Sequence, residues 1–239
     1  MILRHDFNHA RNRVNWFYFR VGNLAPNQTY QFNIINFTKK KSQFCSGMQP
    51  VYYSVGLNEQ SNENSSLKNQ WFRFGSSIAY YKNTHYFYSR RKNKNIKKFF
   101  YTLSFKFNSV YERGSDVCYI ALHYPYTFST LVENLRAWKT LAKESINFQI
   151  NSIGTTLGSI NVPVLSITSR DSSLYRNDYI KEFIYITSRV HPGESQSSHV
   201  VHGIIDALIR SEDRVFETLR NQFIFIIIPM INPDGVVLG

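Results

Sequence analysis

Two side chains suited to metal chemistry stand three positions apart in the segment His191-Pro192-Gly193-Glu194. A neutral imidazole and a carboxylate both bind zinc, and a set of two histidines and one glutamate leaves a position open for water. Pro192 and Gly193 would let the short connection bend, so that both side chains converge on one ion. The bare pattern His-x-x-Glu is common, however, and a surface turn with an unrelated acid is the alternative.

The elements on either side of the pair favour a site. An apolar strand is predicted at Phe183 to Ser188, and a helix follows with its apolar residues on one face (Val200, Val201, Ile204, Ile205 and Leu208). Further strands are predicted at residues 148–153, 162–168 and 223–229, the last nearly all apolar, as in a central strand. Strands that alternate with helices predict an α/β sheet flanked by helices, in which ligands gather where strands end and helices begin.

A change of pattern after Tyr126 predicts a domain boundary. Leu131, Leu135, Trp138 and Ala142 recur at helical spacing, and a capping box is predicted to start that helix at Thr130. Before the boundary, residues 30–37 and 101–107 alternate with a period of two and are rich in aromatic residues. We therefore predict an antiparallel β-sandwich over 1–126 and an α/β domain over 127–239.

The segment Asn232-Pro233-Asp234-Gly235 follows the central strand and has the composition of a turn. Proline fixes one backbone dihedral, and glycine accepts a positive one. Asn232 and Asp234 are therefore predicted to form a turn near the site rather than to act as catalysts.

The net positive charge of the chain comes from its first half. Residues 1–126 contain 18 Lys or Arg against 5 Asp or Glu, whereas residues 127–239 contain 10 against 11. The densest run, Arg90 to Lys98, could attract an acidic partner, and the alternative is a solvated loop between strands. Nucleic-acid binding is not predicted, because no recognised module accompanies the basic residues.

Several features favour a reducing compartment and a protein that does not enter a membrane. The chain has two cysteines, Cys45 and Cys118, which do not indicate a disulfide framework. Cys118 is predicted to be a small buried residue of a strand. The N-terminus has no apolar signal segment, and the longest apolar run, Phe223 to Ile231, is far shorter than the ~20 residues that span a bilayer. We expect a cytoplasmic location, and the sequence does not predict the oligomeric state.

Longer motifs resemble those of the cytosolic carboxypeptidases, a branch of the zinc metallocarboxypeptidases. Two of these motifs, Arg189 to Ser198 and Ile228 to Val237, surround the site. The others lie at residues 16–19, 32–36, 47–54 and 124–128, and resemble that branch's N-terminal β-domain and its junction with the catalytic domain. The resemblance covers the chain from about Val14 to Gly239.

The resemblance implies a zinc enzyme that removes C-terminal amino acids, often glutamates, from acidic protein tails such as those of tubulin. It makes His191 and Glu194 zinc ligands. In the family a histidine ligand, a glutamate general base and substrate-binding arginines follow the Asn-Pro-Asp-Gly segment, and these positions have no counterpart before Gly239.

The only histidines after Glu194 are His199 and His202, and the helix that carries them should take them away from the site. We therefore expect a half-site for zinc and no activity from this chain alone. The alternative is a catalytically dead module that binds acidic tails or a cytoskeletal partner.

Overall fold

The computed structural model describes residues 1–4, 14, 16–62, 65, 69–91, 94–170 and 181–238. The chain divides into two compact units, Met1–Pro125 and Tyr126–Gly239. Within the described ranges, no helix combines the length and the hydropathy that a membrane span requires.

The described part of the first unit forms two antiparallel sheets. Its strands are β1 (Tyr18–Leu24), β2 (Thr29–Phe37), β3 (Val51–Ser54), β4 (Phe72–Arg73), β5 (Ser76–Arg91), β6 (Lys94–Asn108) and β7 (Asp116–Ala121). One sheet has the strand order β1-β7-β3-β4 and the other has the order β2-β6-β5. A 3-10 helix at Gln43–Ser46 and helix α1 (Val55–Gln60) complete the unit. The predicted antiparallel β-domain is confirmed.

Alternate side chains of both sheets meet in one core. Along β6, Leu103, Phe105 and Phe107 are buried, as the period of two in this segment predicts. They pack with Ile34 of β2 and Ile120 of β7, both fully buried. Each large apolar side chain removed from water in this way contributes about 1.5–3 kcal/mol.

A buried carboxylate joins β7 to the start of α1. Asp116 accepts hydrogen bonds from the Ser54 hydroxyl at 2.7 Å, the Gly56 amide at 3.0 Å and the Cys118 thiol at 3.1 Å. Burial and this carboxylate together raise the pKa of the Cys118 thiol. Cys118 is fully buried in β7, so the prediction made for it is confirmed.

Strands β5 and β6 form a long hairpin that contains the basic run. Its pairs extend from Ser76 opposite Lys106 to Arg91 opposite Lys94. Strand β2 pairs with β6 only as far as Phe37 opposite Tyr101. Residues 94–98 therefore belong to a strand, and the alternative of a loop over the whole basic run is wrong because the aromatic and β-branched residues around it continue the ladder.

The second unit consists of a mixed sheet with helices. Its elements are α2 (Phe128–Leu141), β8 (Ile146–Thr155), β9 (Asn161–Ser169), β10 (Glu182–Thr187), α3 (Ser195–Arg210), α4 (Arg214–Gln222), β11 (Phe223–Ile228) and α5 (Pro233–Leu238). The strand order is β10-β11-β9-β8, with β10 and β11 parallel and the other pairs antiparallel. The predicted α/β architecture is confirmed, and β11 is an interior strand.

Helices α2 and α3 contribute their apolar faces to the core of this unit. Leu131 and Trp138 of α2 pack with Val201, Ile205 and Leu208 of α3 against the sheet. In contrast to the prediction, Val200 does not belong to the buried face, because it is 62% exposed. Positions 201, 205 and 208 follow the helical repeat, and position 200 lies one residue outside it.

Helix α2 begins earlier than predicted. The Thr127 hydroxyl accepts a hydrogen bond from the Thr130 amide at 3.0 Å, so the N-cap is Thr127 and not Thr130. An earlier start places Phe128 in the helix, where it packs against the core together with Leu131. Burial of this additional aromatic residue explains why the helix begins after Thr127 and not after Thr130.

Candidate metal centre

The connection between β10 and α3 carries the predicted metal ligands. Because β10 and β11 are parallel, both strands end at the same edge of the sheet. Ser188 donates its amide to the Ile228 carbonyl at 3.0 Å, and its own carbonyl accepts from the Ile231 amide at 3.0 Å. The connection is thus attached to the end of the neighbouring strand before it reaches His191.

A buried arginine organises the connection from inside. Arg189 is only 4% exposed, and its guanidinium donates to the carbonyls of Pro192 and Tyr126 and to the Ser198 hydroxyl, each at 3.0 Å. The backbone of Arg189 is left-handed, with φ 57°. Burial lowers the pKa of Arg189 to about 10, and the side chain still carries its charge at neutral pH. Three hydrogen bonds from one cation thus link residues 191–194, here named the ligand segment, through Pro192 to Tyr126 and to Ser198 of α3.

His191 and Glu194 come together at the surface. His191 Nδ1 lies 3.1 Å from Glu194 Oε2, and the two side chains are 71% and 56% exposed. The Glu194 amide donates to the His191 carbonyl at 3.1 Å, which closes a turn between them. Glu194 is the N-cap residue of α3, and its carboxylate forms no capping hydrogen bond in the described structure. Both groups are therefore oriented toward each other and remain accessible from solvent.

This pair fits zinc in its chemistry and in its spacing. Two ligands at about 2.0–2.2 Å from one tetrahedral ion are separated by about 3.3–3.6 Å. This separation is a few tenths of an ångström more than the 3.1 Å between Nδ1 and Oε2. An imidazole nitrogen and a carboxylate oxygen are also an appropriate donor set. The pair can accept one ion with little movement.

The segment after β11 supports the same connection from the side. The side-chain nitrogen of Asn232 donates to the Val190 carbonyl at 3.2 Å, and the side-chain oxygen of Asn232 accepts from the backbone amide of Gly235 at 3.0 Å. A Cβ on Gly235 would lie 2.8 Å from Pro192 Cγ, so only glycine permits this close approach.

Asp234 points away from the ligand segment, toward the turn between β8 and β9. It accepts from the Thr156 hydroxyl at 2.6 Å and from the Gly158 amide at 2.9 Å. The prediction of a simple turn at residues 232–235 is wrong, because Pro233 begins helix α5 and Gly235 lies inside it. Proline is well suited to a first helical position, since its missing amide would have no partner there.

Residues 134–239 match the model of the zinc carboxypeptidase family. The second unit belongs to the zinc carboxypeptidase family. The family implies Zn²⁺, and in this carboxypeptidase unit His191 and Glu194 are the side chains whose geometry suits it.

Relatives of this carboxypeptidase unit also match the first unit. The whole chain is 39% identical to cytosolic carboxypeptidase 1 of Xenopus laevis, 38% to cytosolic carboxypeptidase 4 of Mus musculus and 36% to cytosolic carboxypeptidase 2 of Danio rerio. It spans 19%, 21% and 30% of their respective lengths.

Two solved structures share the fold over the whole chain. A putative carboxypeptidase A from Shewanella denitrificans superposes with a TM-score of 0.67 at 22% identity, and the chain covers 50% of it. A metallo-carboxypeptidase from Burkholderia cenocepacia superposes with a TM-score of 0.65 at 20% identity, and the chain covers 51% of it.

The two remaining histidines of the carboxypeptidase unit belong to another cluster. His202 Nδ1 lies 3.3 Å from the Tyr126 hydroxyl, and the rings of His199 and Tyr126 are 5.1 Å apart. Burial, assisted by His199, lowers the pKa of His202. Within the described ranges, no group of three or more His, Cys, Asp or Glu side chains is placed to hold a metal ion.

The sequence did not predict that Arg189 organises the connection that carries His191 and Glu194. The residue lies directly after an apolar strand and shortly before the ligand segment, which was the available signal. A charged side chain at such a position is ordinarily exposed, and only the structure shows that it turns inward to Tyr126, Pro192 and Ser198.

Proposed function

We propose that this chain provides the β-domain and the first two zinc ligands of a carboxypeptidase that removes C-terminal glutamates from acidic protein tails, such as those of tubulin, in the cytoplasm. The observation that carries the proposal is the 3.1 Å approach of His191 Nδ1 to Glu194 Oε2 in a carboxypeptidase fold. The names of the relatives, cytosolic carboxypeptidases, support both the reaction and the compartment.

In this proposal the residues of the chain bind the metal ion and orient the segment that carries its ligands. His191 and Glu194 would bind the ion, and Arg189 and Asn232 would keep the segment between Val190 and Pro192 in place. Bound zinc lowers the pKa of its water and polarises the scissile carbonyl. Because both ligand side chains are more than half exposed, a peptide terminus can approach them from solvent.

The proposal includes inactivity of the 239-residue chain in isolation. Two protein ligands bind zinc more weakly than three, and a general base typically contributes about 10²–10⁴-fold to the rate. The purified chain should therefore hold less than stoichiometric zinc after dialysis and should release no glutamate from a glutamate-tailed peptide. One tightly bound zinc per chain, or measurable release, would refute this part of the proposal.

A fusion protein tests the assignment of the ligands. The segment of the Xenopus laevis relative that follows its match to this chain is joined after Gly239, and glutamate release is measured with a glutamate-tailed peptide. Active fusion protein is expected, and His191→Ala or Glu194→Gln should reduce kcat/KM by more than about a hundredfold, because even residues that only support a ligand contribute 10–100-fold.

The matched control is His199→Ala, which changes an exposed histidine of α3 and should leave the rate within about twofold, since His199 lies in the Tyr126 cluster. Full activity of the His191→Ala fusion would contradict the ligand assignment. Activity on neutral tails but not on glutamate tails would contradict the proposed substrate.

A binding module without catalysis is the second candidate, and the charge of the first unit favours it. Residues 1–126 carry a net charge of +13 (18 Lys or Arg against 5 Asp or Glu). A folded fusion protein that binds acidic tails with intact zinc and releases no amino acid would support this candidate over the enzyme.

A further inference from the structure

The outer part of the β5–β6 hairpin, residues 82–91 and 94–101, extends beyond the three-stranded region of its sheet. Strand β2 pairs with β6 only up to Tyr101, so these residues form a two-stranded ribbon, here named the basic arm. In the part of the chain that the structure describes, β5 pairs with no strand other than β6. Strand β5 therefore presents one free edge along the arm.

Charge along this hairpin has a single sign. Residues 76–108 contain no Asp or Glu and eight basic residues, namely Lys82, Arg90, Arg91, Lys92, Lys94, Lys97, Lys98 and Lys106. Such a concentration of one charge raises the local concentration of polyanions. It also opposes self-association, because two arms side by side would repel each other.

Aromatic rings hold two of the ammonium groups on one face of the arm. Lys97 Nζ lies 4.0 Å from the centre of the Tyr86 ring, and Lys82 Nζ lies 3.8 Å from the centre of the Phe99 ring. Tyr86 pairs with Phe99 and Tyr88 pairs with Lys97, so these side chains share one face.

Cation–π contacts of this kind are attractive also at exposed sites and restrict the lysine side chains. Less conformational entropy is then lost when an ammonium group binds a carboxylate. Each contact also occupies one face of its ring, which leaves less of Tyr86 and Phe99 for stacking with nucleic-acid bases.

The free edge of β5 determines the form of an anionic partner. Near Tyr80 the edge is occupied, since the Tyr80 carbonyl accepts from the Cys45 thiol at 3.9 Å. Further out, at residues 86–91, β5 pairs only with β6 among the described strands, so the opposite edge of β5 is open to a partner there. An extended peptide can add to such an edge through main-chain hydrogen bonds. Its alternate side chains, about 7 Å apart, would then face the lysine cluster.

We propose that the basic arm is a docking surface for an extended acidic polypeptide segment, which pairs with the free edge of β5 and places alternate carboxylates against Lys82 and Lys97. The inference concerns the first unit and does not depend on whether the second unit cleaves the bound segment. Binding and glutamate release are therefore separate tests.

The first experiment measures binding of a fluorescent peptide of alternating Glu and Thr to the full chain by anisotropy. The double variant Lys82→Gln/Lys97→Gln should weaken binding about fivefold, since two exposed ion pairs are lost. The control Arg136→Gln/Lys139→Gln removes the same charge from the exposed surface of α2 and should change affinity less than about twofold. Equal weakening by both variants would overturn the proposal, because charge alone would then explain binding.

The second experiment separates the possible partners. A Glu-Thr peptide that is N-methylated at every residue has the same charge and no amide donor, so it should bind more weakly than the unmodified Glu-Thr peptide. Equal binding of the two peptides would overturn strand pairing. Oligothymidylate that binds more tightly than the Glu-Thr peptide would assign the arm to nucleic acid, and concentration-dependent dimers lost in the lysine variant would assign it to a second copy. Either result would overturn the proposal.

Discussion

Replacement of Arg189 by methionine should destabilise the second unit strongly. Methionine keeps an unbranched side chain, so the strain of the left-handed backbone at φ 57° is largely unchanged. The substitution removes three hydrogen bonds of 3.0 Å, to the Pro192 and Tyr126 carbonyls and the Ser198 hydroxyl.

The expected loss follows from two opposing contributions. Each buried acceptor left without its donor costs about 1–3 kcal/mol, which gives about 3–9 kcal/mol for three. Removal of a buried cation recovers several kcal/mol of desolvation. We expect a net loss of about 3 kcal/mol, a large part of the ~5–15 kcal/mol that stabilises a folded domain.

Urea titration can measure this loss through Trp138, which is 2% exposed in the second unit. A background with Trp16→Phe and Trp71→Phe makes fluorescence report on Trp138 alone. With a slope near 2 kcal/mol per molar, a loss of about 3 kcal/mol lowers the midpoint by about 1.5 M urea.

Arg210→Met is the matched control. Arg210 forms an exposed ion pair with Asp206 at 3.1 Å on α3, and its loss should cost about 0.5 kcal/mol. A loss for Arg189→Met within about 1 kcal/mol of the control would show that the three hydrogen bonds do not hold the connection between β10 and α3.

Two further predictions concern the same unit. Because burial lowers the pKa of His202 below its unfolded value, the unfolded chain takes up a proton more readily, and the free energy of unfolding should fall as pH drops through about 6.5. In His202→Asn the urea midpoints at neutral and mildly acidic pH should therefore converge. An unchanged pH dependence in this variant would contradict the assignment to His202. Asp234→Asn should cost about 1–2 kcal/mol, because one of two charge-assisted bonds, from Thr156 or Gly158, loses its acceptor. The control is Asp213→Asn at the N-cap of α4, a position where asparagine replaces aspartate well, so it should lower the free energy of unfolding by less than about 0.5 kcal/mol. Similar losses of stability in both variants would contradict the role of Asp234.

Periodicity in the sequence predicted the elements that pack against a core. The segments predicted at 162–168 and 223–229 correspond to the interior strands β9 and β11, where apolar runs are stable because they lie between neighbouring strands. The segment predicted at 148–153 corresponds to the edge strand β8, whose apolar and polar residues alternate. Helix α4 was not predicted. It has nine residues, and only Phe216 and Leu219 pack on the core, too few positions to establish a period.

The ligand pair could be predicted from its sequence, but the groups that orient it could not. His191 and Glu194 are adjacent in sequence, so their 3.1 Å approach requires only a local turn. Arg189 contacts Tyr126, 63 positions away, and Asn232 contacts Val190, 42 positions away. No local pattern encodes such contacts, which arise from the packing of the whole unit.

The attachment of the ligand segment to later parts of the chain affects the order of events during synthesis. Asn232 holds the Val190 carbonyl across 42 positions, and Asp234 holds Thr156 across 78. At about 5–20 residues per second, a ribosome needs about 2–8 s to extend from Val190 to Asn232. During that interval His191 and Glu194 can form their own turn, while the support from α5 has not yet been made. A nascent chain stalled before Asn232 would therefore present His191 and Glu194 without the lateral support of Asn232, which forms only after that residue has been synthesised.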